Sequence, residues 1–98
     1  MFLPQRYVSL GYQQLTVSGT ALALTVPTGA TIALLTVESN AVRFRDDGVA
    51  PTASVGFPLS VSAGGVSSFE YSGNLSQVLI ISQTGSATVD ILYYRVAG

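Results

Sequence analysis

The chain has 98 residues, enough for one core and too few for two, and only 9% of them are charged where about 25% is ordinary. A net charge of −1 leaves no electrostatic footprint for a phosphate backbone, so nucleic acid is not an expected partner. With no cysteine there are no disulfides or thiolate metal sites, and with no histidine the commonest acid–base group is missing as well.

Along the chain, short apolar or alternating runs close on Gly, Pro, Ser, Asn or Asp about every ten residues, the pattern of an all-β sandwich or small barrel. Strands are predicted over 6–10, 12–18, 21–26, 31–38, 41–46, 56–61, 66–72, 76–83 and 87–95, with a possible N-terminal arm over 1–5. Val, Ile, Thr, Tyr and Phe dominate these stretches, and their branched or planar side chains suit a pleated, half-buried surface. The first six residues lack the positive leader and apolar run of a secretion signal, so export by the general pathway is not expected. Val78 to Ile81 is the longest aliphatic run, far short of the roughly 18 residues of a membrane-crossing helix.

Two hairpins follow from the pattern. Ser39-Asn40 would turn 32–38 back onto 41–46, opposing Val37 to Val42, Thr36 to Arg43 and Leu35 to Phe44. Period-2 geometry then sends Leu35, Val37, Val42 and Phe44 to the core and Glu38, Arg43 and Arg45 to the other face. Thr84-Gly85-Ser86 would similarly pair Ile81 with Val89, Ile80 with Asp90 and Leu79 with Ile91. Leu79, Ile81, Val89, Ile91 and Tyr93 would form one apolar face, yet Val78, Ile80, Leu92 and Tyr94 make the opposite face apolar too. A two-layer sandwich covers one face of each sheet internally, so that second face needs either the chain's own segments, such as 1–4, or a partner subunit.

Chemistry-bearing constellations are sparse. Serine-type hydrolysis needs a base beside the hydroxyl, and neither histidine nor lysine is present to supply it. A carboxylate pair for glycoside hydrolysis could come from Glu38, Asp46, Asp47 or Glu70, but neighbours on a strand point apart unless a turn begins there. Asp46-Asp47-Gly48 reads as a turn and lacks the alternating ligands of a calcium loop. No enzymatic activity, cofactor or metal is expected. Arg43 and Arg45 share a face and would meet Glu38 diagonally, either as an exposed ion pair or as interface anchors. The five tyrosines, without a tryptophan, read first as packing and second as sugar-stacking surfaces.

Three segments, 22–31 (LALTVPTGAT), 41–52 (AVRFRDDGVAPT) and 69–76 (FEYSGNLS), followed by the apolar runs over 77–95, together resemble small β-rich structural proteins of tailed bacteriophages. The resemblance implies a head decoration, cement or tail-appendage subunit, often trimeric or otherwise oligomeric. The combined expectation is a jelly-roll-like antiparallel β-sandwich of eight or nine short strands in a single domain over 1–98. It would be made in the host cytoplasm and sit on the virion, on the capsid surface rather than the tail. There it would pack against the major capsid protein, other virion proteins or copies of itself, with a glycan-binding or adaptor module of the tail as the alternative. Expected contact residues are Phe2, Leu3, Arg43, Arg45, Val78, Ile80, Leu92 and Tyr94.

Overall fold

The computed structural model describes residues 6–61 and 68–97. Eight strands run in order as β1 (Tyr7–Val17), β2 (Leu22–Ala23), β3 (Ile32–Ser39), β4 (Val42–Arg45), β5 (Phe57–Leu59), β6 (Phe69–Ser72), β7 (Leu79–Ser82) and β8 (Ala87–Val96). They form two four-stranded antiparallel sheets, ordered β1-β8-β3-β6 and β2-β7-β4-β5. This order is that of a jelly roll: the chain alternates between the layers, and only β4 and β5 are both consecutive and paired. A 3-10 turn, Leu75–Gln77, precedes β7 and sets Leu75 into the core at 3% exposure.

The two expected hairpins are both crossings between sheets. β3 pairs with β8 and β6, whereas β4 pairs with β7 and β5, so Val37 opposes Val89 and Val42 opposes Ser82. Asn40 takes the left-handed φ of 59° that carries the chain over the corner, and its amide donates to the carbonyl of Ser86 in the second corner. Gln83 N–H donates to Ala41 O at 3.0 Å, which pins the two corners to each other. The inward face of β3 and β4 is nevertheless Leu35, Val37, Val42 and Phe44, as the alternation implies, all at 7% exposure or less.

For β7 the parity is the reverse of the expected one. Val78 and Ile80, at 2% and 0% exposure, belong to the core cluster, while Leu79 and Ile81 oppose Arg45 and Arg43 on the outer side. β7 carries aliphatic residues on both faces, so the sequence sets its phase only through a pairing with Val89, Ile91 and Tyr93 of β8. Because the two strands lie in different sheets, their phases are independent.

The runs 6–10 and 12–18 merge into one eleven-residue strand with a bulge between Ser9 and Gly11. The extra residue, Leu10, packs on the core. The bulge re-phases the strand, so that Tyr7 and Ser9 before it and Tyr12, Gln14 and Thr16 after it all face outward, opposite Val96, Tyr94, Leu92, Asp90 and Thr88. Between the layers lie Leu15, Val17, Ala87, Val89, Ile91 and Tyr93 from one sheet and Leu24, Val42, Phe44, Val78 and Ile80 from the side of the other. Each such side chain of Val to Phe size contributes about 1.5–3 kcal/mol on removal from water. Tyr93 satisfies its buried hydroxyl by donating to Gln13 Oε1 at 2.6 Å, and burial pushes its pKa up to about 12.

Candidate interaction surfaces

Two surfaces stand out, one on the flat exterior of a sheet and one at an open edge of the sandwich. The outer face of the β1-β8-β3-β6 sheet has no covering layer among the described residues. Its register brings Tyr7, Tyr12, Leu34, Leu92, Tyr94 and Val96 onto one surface, with Tyr12 at 60%, Tyr7 at 46%, Val96 at 42% and Leu92 at 37% exposure. The Tyr7 and Tyr94 rings lie tilted with centroids 6.0 Å apart, beside Ile32, which is 6% exposed although it lies outside the core cluster. Tyr7, Ile32, Leu34, Glu70 and Tyr94 line a depression of about 170 Å³ there.

At the other end of this face the β3–β8 pairing brings Glu38 beside Asp90. Tyr12 hydroxyl donates to Asp90 Oδ1 at 2.6 Å, and the Gln14 amide donates to Asp90 Oδ1 and Glu38 Oε2, each at 3.2 Å. The hydrogen bond and repulsion from Asp90 raise the Glu38 pKa, and the same carboxylate raises that of the Tyr12 hydroxyl. A native pKa above the unfolded one gives stability that is complete below the unfolded value of 4.5 and lost as pH rises through the native value. Glu38→Gln is therefore expected to raise the urea midpoint at neutral pH and to leave it nearly unchanged near pH 4, as measured by unfolding at the two pH values. Asp47 carries the opposite sign: the Arg45 hydrogen bond lowers its pKa, so its contribution is lost as pH falls.

The second surface lies where the edge strands β5 and β6 leave the two layers open. Phe44, Phe57, Phe69 and Tyr71 cluster with ring centroids 5.3 Å (Phe44–Phe57), 5.4 Å (Phe44–Phe69) and 6.5 Å (Phe69–Tyr71) apart. Phe57 faces the interior in register with Phe44 yet is 56% exposed, since its strand is the last of its sheet. These rings, with Arg45, Asp46, Asp47, Val55 and Gly56, line an open groove of about 450 Å³. Tyr71 hydroxyl donates to Asp46 Oδ2 at 2.6 Å, and burial followed by that hydrogen bond raises the Tyr71 pKa.

The loop over 46–56 that forms one wall is locked by its own residues. Arg45 holds Asp47 through two guanidinium hydrogen bonds, and Asp47 Oδ1 accepts from Val49 N–H at 3.3 Å. Gly48 takes a φ of +79°, and a Cβ there would fall 2.4 Å from Gln77 Oε1. Thr52 and Val55 exchange backbone hydrogen bonds of 2.8 and 3.3 Å, with Thr52 Oγ1 accepting from Ser54 and Val55. From β4, Arg43 Nε donates to Ala53 O at 3.1 Å and a terminal guanidinium nitrogen donates to Gly56 O at 2.9 Å.

The expected contact residues therefore separate. Leu92 and the half-buried Tyr94 lie on the exposed sheet face. Val78 and Ile80 are core side chains with no surface to offer a partner. Arg43 is the clasp of the 46–56 loop, and Arg45 pairs with Asp47, not with Glu38. Phe2 and Leu3 lie outside the described residues. The Glu38–Asp90 pair and the aromatic groove were not foreseen from the sequence, because both depend on pairings between strands far apart in the chain.

Comparison with protein-family models, with curated proteins and with solved structures returns no match to this chain.

Proposed function

We propose that this chain is a non-enzymatic structural subunit of a tailed-phage virion, a cement or decoration protein that stabilises the particle by packing on capsid neighbours or on copies of itself. The observation that carries the reading is the apolar face of the β1-β8-β3-β6 sheet, which no described residue covers, in a chain with few charges to keep such a face in water. A mean hydropathy of +0.49 agrees with it. The jelly-roll order is a further support by analogy, since viral capsid domains use it, as do lectins and cupins with other roles.

The mechanism is burial. Each side chain of Leu or Tyr size removed from water contributes about 1.5–3 kcal/mol, and symmetry on a particle repeats that gain at every copy. In this reading the partner covers Tyr12, Leu34, Leu92 and Tyr94, which the register sets on one face. No chemical step is required of the Glu38–Asp90 pair, which sits on an open sheet face and not in a cleft.

Mass spectrometry of purified particles is expected to find the chain at copy numbers comparable with the capsid protein. Leu92→Glu together with Tyr12→Ala is expected to lower association with those particles at least about tenfold, while the thermal midpoint of the isolated chain stays close to that of the parent. A chain that is absent from particles and sediments as a monomer at high concentration would overturn the reading.

A further inference from the structure

We infer that the groove between β5 and β6 is a carbohydrate-binding site, its aromatic floor taking the apolar face of a sugar ring and its Asp46, Asp47 and Arg45 rim taking the hydroxyls. This inference is independent of the packing role, which uses the opposite exterior of the β1-β8-β3-β6 sheet.

Three observations select that ligand. The floor is aromatic, with Phe57 exposed and Phe69 and Tyr71 half-buried beside it, the Phe69 plane turned 33° from Phe57 and 28° from Tyr71. A sugar ring presents a patch of C–H groups that packs on such rings, whereas a fully polar ligand gains nothing from them. The rim sets carboxylate acceptors next to guanidinium donors, and two aspartates against one arginine leave it with a formal charge of only −1. A strong cation meets Arg45 there, and an anion meets two carboxylates. A neutral hydroxyl can donate to one group and accept from the next.

The third observation is preorganisation. Asp46 is held by the Tyr71 hydroxyl, Asp47 by Arg45, and the loop between them and Gly56 by Arg43, Thr52 and the glycine conformations. Rim groups that are already fixed lose little freedom when a ligand arrives. The volume of about 450 Å³ lies within the roughly 300–1,000 Å³ of small-molecule sites, and the open side admits a ring that belongs to a longer chain.

The test is a glycan array probed with the full chain, followed by amide NMR titration with the best-binding oligosaccharide and with the methyl glycoside of its terminal sugar. The expected result is binding that shifts the amides of Asp47, Gly48, Phe57 and Phe69, with affinity falling at least tenfold in Phe57→Ala and in Asp46→Asn. Tyr12→Ala, on the remote face, leaves binding unchanged. Saturation by the methyl glycoside alone assigns the site to a terminal sugar, and tighter binding of the oligosaccharide assigns it to a stretch of polymer; either supports the inference. An array without binding overturns it, as do Phe57→Ala and Asp46→Asn proteins that are folded by amide dispersion and bind like the parent. Should Phe57→Ala instead shift the sedimentation of the free chain from oligomer to monomer, the groove is a contact between copies and the inference falls. Failure of the packing role leaves these readouts untouched.

Discussion

Ile80→Ala is expected to destabilise the fold by about 2–5 kcal/mol, and Leu92→Ala by under about 1 kcal/mol. The sequence offers no reason for the difference, since both are aliphatic residues in neighbouring apolar runs. Ile80 is 0% exposed and sits between Leu22 and Phe44 in the register of its sheet, so truncation leaves a cavity that the surrounding strands can close only in part. Leu92 is 37% exposed between Tyr12 and Leu34 on the outer face, and its truncation exposes little that water does not already reach. Against a typical total of about 5–15 kcal/mol, the first change puts the folded state at risk and the second does not. Urea unfolding of the two variants, followed by Tyr fluorescence, measures the contrast; equal midpoints would place Ile80 on a surface and invalidate the phase of β7.

Gly56→Ala is expected to cost about 1–3 kcal/mol and to loosen the 46–56 loop. Gly56 has a φ of +142°, where a side chain is strained whatever the space around it. Its Cβ would also stand 3.0 Å from Pro51 Cβ and 3.1 Å from Arg43 Cβ. Neither neighbour is free to retreat: Pro51 is buried, and Arg43 is tethered to Ala53 and to Gly56 itself. Gly19→Ala is the control, with open space around the new methyl group and no positive φ, and is expected to stay within about 0.5 kcal/mol of the parent. Thermal unfolding compares the two, and loss of protection at the Val55 amide, which donates to Thr52, localises the damage.

The all-β class and most strand positions could be read from the sequence, because alternation and turn residues are local signals. The runs at 31–38 and 87–95 match β3 and β8 to within a residue or two. What could not be read is which strands pair. In a jelly roll, consecutive strands fold onto opposite layers, and the turn residues at Ser39-Asn40 and Thr84-Ser86 serve a crossing as well as a hairpin. The inward faces of β3 and β4 emerged correctly because each strand alternates on its own. In β7 the one polar residue, Ser82, is itself buried in phase with Ile80, so polarity misleads about the phase, and the register with β8 points Val78 and Ile80 outward. The groove was hidden for the same reason: Phe57 and Phe69 read as two ordinary strand residues until the sheet order brings their edges together, 6.0 Å between centroids. The Arg43–Arg45 spacing is visible in the sequence, but the partners of both side chains lie on the following loop and not across a turn.

The position of β8 also governs when the fold can exist. It is the last of the eight described strands to be synthesised, yet it lies between β1 and β3, each of which depends on it for hydrogen bonds along most of its length. Until Ala87 and the residues after it emerge, β1 has no partner among the described strands and the β1-β8-β3-β6 sheet stays split, although β3 with β6 and the β2-β7-β4-β5 sheet can already pair. The nascent chain thus completes this sheet only once β8 has been made.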